Sequence, residues 1–391
     1  MVLDRRLAEL RARIQQLTPS EARERLAVGE VMIDVRDPGE LAGGLPEGAR
    51  ALSRGELETR ITELATPDSP VMLICASGPR SLLAADDLVR LGYERVAVVA
   101  GGVDRWKHEG LPCVRPRGID ADGAERYARQ MNLPEFGMQG QAKLADARVL
   151  LVGAGGLGSP AALYLAAAGI GTLGLVDDDR VERSNLHRQV LHRDDRIGSP
   201  KTDSARATLE ALNPKIKVRT HQVRLDSSNV EDVFSDYQII VDGSDNFPTR
   251  YLVNDACIRL GLPNVYGAVQ RFEGQVSVFA AGGRPCYRCL FTEPPDPDMA
   301  PSCSEAGVLG VVPGIIGSLQ ALEVIKLATG IGEPLIGRLL LFDARTTRMR
   351  ELALGPDPEC RYCADESKFP GYIDYAEFCN ASSLEESETN D

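Results

Sequence analysis

The sequence predicts an α/β chain of two domains, each organised around a parallel sheet. Three observations carry this. Short apolar runs alternate with helical segments along most of the 391 residues, the pattern of strands joined by crossover helices. A run of glycines, Gly153-Ala-Gly155-Gly156-Leu-Gly158, lies where a strand passes into a helix. The Pro- and Gly-rich stretch 112–123 has no periodicity and separates two such series. The length suffices for two cores.

Residues 1–16 form a leader helix, amphipathic over 3–16. Thr18 caps the next helix, with Pro19 in its first turn. Val31–Val35 is a strand, Val71–Ile74 a strand ending at Cys75, Ser81–Leu91 a helix, and Val96–Val99 a strand followed by Gly101-Gly102. These make a first domain over 17–111, with 112–123 as the linker. The second domain, 124–363, continues with a strand at Arg148–Val152, a helix at Ser159–Ala168 and a strand at Leu173–Val176 ending at Asp177. Further strands fall at Val218–His221, Ile239–Val241, Gln275–Phe279 and Arg338–Phe342. The apolar region Gly307–Leu322 holds Pro313, several glycines and Gln320, and Glu323 ends it. It is too short and broken for a membrane span and reads as a buried helix.

The tail, 364–391, carries eight carboxylates against Lys368. Its end is expected to be disordered, while Tyr372-Ile-Asp-Tyr375-x-x-Phe378 is expected to dock on the folded body. The net charge of −13 argues against nucleic acid as the main partner, since phosphate neutralisation needs a basic face. The N-terminus is charged, without an apolar signal core, so a cytoplasmic protein is expected, with no membrane partner. Nine cysteines, four of them in Cys-x-x-Cys pairs, point to metal and reactive thiols rather than to a disulfide framework.

Glycines at a strand-to-helix turn remove side-chain bulk, so backbone N–H groups and the helix N-terminus face phosphate. Asp177 ends the following strand, where an acid accepts ribose hydroxyls. That much suits NAD or ATP. Arg188 and Lys201 favour ATP, because charge builds on the leaving pyrophosphate during adenylation, and Asp245 is placed to hold Mg²⁺.

Cys286-Tyr-Arg-Cys289 and Cys360-Arg-Tyr-Cys363 supply four thiolates with matching spacing, the donor set of a structural Zn²⁺ site. Cys75-Ala-Ser-Gly-Pro-Arg80 forms a six-residue loop between strand and helix. Its N–H groups make a small nest that suits a persulfide anion.

Residues 124–363 resemble the MoeB/ThiF family, related to ubiquitin-activating enzymes. The matching text is Arg126-Tyr-Ala-Arg129-Gln130, the glycine turn, Asp177-x-Asp179, Ser184-Asn185-Leu-His-Arg188-Gln189, Gly198-Ser-Pro-Lys201, Ser244-Asp245-Asn246, Glu273-Gly-Gln and the two cysteine pairs. The resemblance implies a Rossmann-like domain. It implies adenylation by Mg·ATP of the C-terminal glycine of a ubiquitin-like sulfur carrier ending in Gly-Gly. It further implies nucleotide or metal contacts from Gly156, Asp177, Ser184, Asn185, Arg188, Lys201, Asp245 and Asn246. Arg129 resembles an arginine supplied by the second subunit of a symmetric homodimer. Cys303 falls where the family often places an acyl-accepting cysteine.

Residues 17–111 resemble a single rhodanese domain, including Ile33-Asp-Val-Arg-Asp-Pro-x-Glu40 and Gly101-Gly-Val-x-x-Trp106. Gly44 stands where that family usually has His. This resemblance implies sulfur transfer through Cys75, supported by Arg80, with thiosulfate or a cysteine desulfurase as donor. The combined expectation is an adenylyltransferase–sulfurtransferase that makes a thiocarboxylate on its carrier, with molybdopterin and thiamine synthesis among its destinations. A rhodanese domain used only for docking, and a Rossmann oxidoreductase, stay open beside it.

Overall fold

The computed structural model describes residues 2–41, 43–114, 121–133, 135–279, 284–294, 307–365 and 369–381. The chain forms two compact units, Met1–Ala145 and Asp146–Asp391.

The first unit contains strands β1 (Gln15–Leu17), β2 (Val31–Asp34), β3 (Leu45–Pro46), β4 (Arg50–Ala51), β5 (Val71–Ile74), β6 (Val96–Val99) and β7 (Cys113–Val114). Five of them form a parallel sheet in the order β1-β6-β5-β2-β4. The central strand β5 is buried at all four positions, as a strand covered on both faces must be. Its C-terminal end opens onto Cys75. Thr18 and Glu21 form a reciprocal capping box at the helix Pro19–Ala27.

The leader helix ends at Arg13 rather than at residue 16, and Gln15–Leu17 leaves it to become the edge strand β1. It is integral to the unit. Leu7, Leu10 and Ile14 enter the core, while Arg6, Arg13 and Arg90 converge on the buried carboxylate of Asp86. The expected linker is partly structured. Cys113 and Val114 pair with Pro46 and Leu45, Ala121–Arg126 is helical, and 115–120 lie outside the described residues. Tyr127, Met131 and Met138 share a core cluster with Trp106, so this stretch packs within the first unit.

The second unit holds β8 (Arg148–Val152), β9 (Thr172–Val176), β10 (Lys217–His221), β11 (Ile239–Asp242), β12 (Asn264–Gln270), β13 (Glu273–Phe279), β14 (Arg338–Asp343) and β15 (Arg348–Ala353). They form one sheet in the order β10-β9-β8-β11-β12-β13-β14-β15, parallel through β12 and antiparallel beyond it. Strand order reverses beside β8, where β9 lies on one side and β11 on the other. That creates the crevice in which open α/β sheets take ligands. The sequence pattern did not indicate β12 or β15. All six residues of β15 are exposed, so it lacks the apolar alternation that marks a strand.

The helix Val311–Thr329 is long and apolar enough to cross a membrane by composition, with mean hydropathy 1.5, yet it packs against β12 and the helix Gly158–Ala168. A Cβ at Gly317 would overlap the Leu157 carbonyl. Gln320 donates to the carbonyls of Asp242 at 2.7 Å and Val265 at 3.0 Å. Glu323 does not end the helix. It is buried inside it, accepting from Lys326 at 2.6 Å and from the Leu335 amide at 2.7 Å. The tail segment 369–381 docks as expected: Tyr372 donates to Glu231, Tyr375 donates to Asp255, and Phe378 meets Tyr251 edge-on.

Trp106 is the single tryptophan of the chain and is fully buried in the first unit, so its fluorescence reports unfolding of that unit alone. Asp86→Ala removes the carboxylate shared by three half-exposed arginines, which can rehydrate. It is expected to destabilise this unit by about 1–3 kcal/mol. A Trp106 urea midpoint equal to that of the parent would show the arginine cluster to be idle.

Candidate functional site

The turn after β8 follows from close packing. Gly153 adopts φ of 92°, which disfavours any side chain, and a Cβ at Gly158 would overlap the Gly153 carbonyl oxygen. Gly158 therefore lets the helix start against the strand, while Gly155 and Gly156 line the adjacent cavity. The Asp177 carboxylate accepts from the amides of Ala154 at 2.8 Å and Asp179 at 2.9 Å, fixing the turn from the end of β9. Burial pushes its pKa up, against the opposing pull of Lys201 and both amides.

A cavity of about 350 Å³ lies at this crevice. Gly153, Gly155, Gly156, Asp177, Asp179, Arg188, Lys201, Asp245 and Asn246 line it together. Lys201 is buried, with Nζ 2.6 Å from Asp179 Oδ2. Asn246 caps the helix Phe247–Leu260 by accepting the Thr249 amide at 3.0 Å, which leaves the exposed Asp245 at the mouth of the turn after β11. Ser184 and Asn185 act one step back. Asn185 Oδ1 accepts from Arg188 at 2.6 Å, and the Ser184 carbonyl accepts from the same guanidinium at 3.5 Å. Arg129 is exposed on the short helix Ala128–Met131 of the first unit.

Three residues of this site went unassigned in the sequence. Gln189 lines the cavity, and its buried Oε1 has no hydrogen-bond partner among the described residues. Arg250 also lines it, donating to the Ser244 carbonyl at 3.1 Å and facing the Phe247 and Tyr266 rings. Its position one helical turn beyond Asn246 was the available signal. His192 bridges two functional elements. Its Nε2 lies 2.9 Å from the Ala154 carbonyl and its Nδ1 3.0 Å from Ser204 Oγ, on the helix that begins at Lys201.

The four thiols of Cys286, Cys289, Cys360 and Cys363 form one cluster that could hold a metal ion. Sulfur separations are 3.8 Å for Cys286–Cys289, 3.7 Å for Cys286–Cys360 and 3.3 Å for Cys289–Cys363. Arg288, between the first pair, is buried in a bidentate pair with Asp255 at 2.8 Å, and its guanidinium faces Tyr251, Tyr362 and Phe378.

In the first unit, Cys75 sits at the end of β5 and is buried. Its Sγ accepts from the Gly78 amide at 3.1 Å and lies 3.6 Å from Ser81 Oγ. A Cβ at Gly102 would overlap the Cys75 carbonyl, so the loop rests tightly on the start of the helix Gly102–His108. Arg80 is engaged by Glu40 rather than free above the thiol, its Nη2 2.6 Å from Oε1. Gly44, in place of the usual His, has φ of 108° and offers its carbonyl to Arg36 at 2.7 Å. Cys303 lies outside the described residues.

Residues 127–362 match the ThiF family and residues 18–109 match the rhodanese-like domain. A sulfur carrier protein adenylyltransferase of Thermus thermophilus is 51% identical over 260 residues, covering 65% of this chain and 96% of that one. The SAMP-activating enzyme E1 of Haloferax volcanii is 48% identical over 265 residues, covering 68% and 98%. The adenylyltransferase and sulfurtransferase MOCS3-2 of Zea mays is 51% identical over 252 residues, covering 64% of this chain. The match spans 52% of that protein, about half its length. Among solved structures, E. coli MccB with ATP superposes with a TM-score of 0.55 at 24% identity, over 61% of this chain and 75% of that one, which establishes likeness of fold.

Burial holds the His192 imidazole below its ordinary pKa; the bond to Ala154 opposes this, and Lys201 and Arg196 add to it. The unfolded chain takes up this proton near pH 6.5 and the folded chain only at lower pH. Its stabilising contribution is therefore complete above about pH 6.5 and falls away below it. His192→Gln should flatten the loss of calorimetric melting temperature between about pH 6.5 and 5. A parent and variant with parallel slopes would exclude this origin.

Proposed function

Because the chain belongs to the ThiF family and carries a rhodanese-like domain, we propose that it adenylates the C-terminal glycine of a ubiquitin-like sulfur carrier and then replaces a carboxylate oxygen with sulfur. The observation that carries this reading is the convergence of the glycine turn, Arg188, Lys201 and Asp245 on one cavity. A carboxylate oxygen of the carrier attacks the α-phosphorus of ATP, and pyrophosphate leaves. The backbone of the glycine turn receives phosphate oxygens, while Arg188 and Lys201 meet the charge that develops on the leaving group. Lys201 exchanges its Asp179 partner for phosphate in this step. Asp245 would hold Mg²⁺, which neutralises phosphate charge when bound. Arg129 would enter from a second copy in a symmetric homodimer.

In the second half, Cys75 accepts a sulfane sulfur from thiosulfate or from a cysteine desulfurase. The terminal sulfur of Cys75–S–S⁻ attacks the acyl carbon, and AMP leaves. A second thiolate, from Cys303 or an external reductant, then attacks the Cys75 sulfur of the acyl disulfide. The carrier departs as a thiocarboxylate, and the resulting disulfide is reset by cellular thiols. Molybdopterin, thiamine or cysteine synthesis, tRNA thiolation and secondary-metabolite synthesis are the routes open to such a thiocarboxylate.

The cysteine cluster fits Zn²⁺. A tetrahedron with Zn–S of about 2.3 Å places sulfurs about 3.8 Å apart, close to the observed 3.3 to 3.8 Å. Zinc here would tie the chain at 286–289 to that at 360–363 and take no part in the reaction. Metal analysis should return one zinc per chain, and a chelator should lower the melting temperature without changing Trp106 fluorescence at the onset. A metal-free protein of undiminished stability would dismiss the site.

The direct test is the intact mass of a Gly-Gly-ended carrier after incubation with the protein, Mg·ATP, thiosulfate and reductant. An oxygen-to-sulfur gain is expected, and Cys75→Ala should abolish it while sparing carrier-dependent pyrophosphate release. Asp245→Ala should remove both. Pyrophosphate release surviving in Asp245→Ala would refute the metal-holding role.

A further inference from the structure

We propose that Glu40 sets the sulfur-donor preference of the Cys75 loop by occupying Arg80, so that the loop favours sulfur carried as a cysteine persulfide on a donor protein over a dianionic oxyanion such as thiosulfate. This rests on the reading of Cys75 as the sulfur acceptor. Arg80 is the one cation among the six residues of the loop. Its guanidinium meets both carboxylate oxygens of Glu40, Nη1 to Oε2 at 2.5 Å and Nη2 to Oε1 at 2.6 Å. Asp37 Oδ2 lies 3.8 Å from the same Nη1. A fork-to-fork pair uses the two donors that would otherwise receive a pair of oxyanion oxygens.

The pair is held from behind. Glu40 belongs to the short helix Pro38–Leu41. Arg36 donates to the Glu40 carbonyl at 3.3 Å and to the Gly44 carbonyl at 2.7 Å. Arg36 is itself locked on the fully buried Asp34. Glu40 thus approaches Arg80 from a fixed support, unlike a surface side chain that samples many partners. The Arg80 guanidinium, as the largest influence, holds the Glu40 carboxyl below the usual range, so it is ionised at neutral pH. Arg80, Glu40 and Asp37 then sum to one negative charge beside the loop. Of the neighbouring cations, Arg36 is matched by Asp34 and Arg105 by Glu109 at 2.8 Å, while the Lys107 ammonium lies against Gly43, beyond the end of the helix that carries Glu40.

The two donors differ in what they ask of this surface. In both, the Cys75 thiolate attacks the outer sulfur and an S–S bond forms. Thiosulfate brings two negative charges and releases sulfite. A protein persulfide brings at most one, releases its cysteine thiolate, and is bound through the rest of its carrier. Like charge at the loop therefore penalises the first more than the second.

The test measures sulfur loading of Cys75, read as thiocyanate released by cyanide, in the full chain. One donor is thiosulfate and the other a cysteine desulfurase charged from free cysteine. Glu40→Gln should raise the ratio of kcat/KM for thiosulfate to that for the persulfide about tenfold, through KM, and most strongly at low salt. Asp37→Asn should move the ratio the same way by less, which guards against a loop loosened in Glu40→Gln. Glu40→Asp should keep the parental ratio. An unchanged ratio, or equal loss with both donors, would overturn the proposal and leave Glu40 a loop brace. Loading that persists in Cys75→Ser would instead show that the acceptor itself was misassigned.

Discussion

The half-buried carboxylate of Asp177 is the fastening on which the nucleotide crevice depends. One oxygen accepts the Ala154 amide and the other the Asp179 amide, so the turn after β8 and the end of β9 share one set of coordinates. Asp179 then reaches Lys201, and His192 ties the turn to the helix that Lys201 begins. Each link is a short hydrogen bond in a region from which side chains are excluded by glycine. Three separate chain segments thereby face one cavity. This is the preorganisation that charge stabilisation requires.

Both units use the same physical device at different scales. A parallel strand ends, its last residues are buried, and the chain must turn into a helix with its amides pointing outward. After β8 the turn is widened by glycines and admits a polyphosphate. After β5 four residues, Cys75–Gly78, separate strand from helix, and the Gly78 amide donates to the Cys75 sulfur.

Much of this was legible in the sequence because strand ends and glycine turns have local signatures. The glycine run, Asp177, Arg188, Lys201 and Asp245 converge as their spacing suggested, and the two cysteine pairs meet. What was not legible depends on partners distant in the chain. The capture of Arg80 by Glu40 spans two elements of the sheet domain. The role of Gln189 and Arg250 emerges only when β8, β11 and β12 lie side by side. Residues 15 and 16 read as the end of a helix, because a three-residue edge strand has too few positions to show a period. β15 is invisible for a different reason: it is fully exposed and carries no apolar code. Gly44 looked like a loss when set against the family His, yet its left-handed backbone places the carbonyl that anchors Arg36.

The docked tail changes what the end of this chain is. Tyr375 shares Asp255 with Arg288, and Phe378 covers the other face of that guanidinium. Arg288 stands between two of the cluster thiols, and Asp255 lies on the helix whose first residues border the nucleotide crevice. The terminal aromatic segment is therefore one wall of a buried ion pair. Cutting the polypeptide ahead of Phe369 would open the Asp255–Arg288 pair to water from that side.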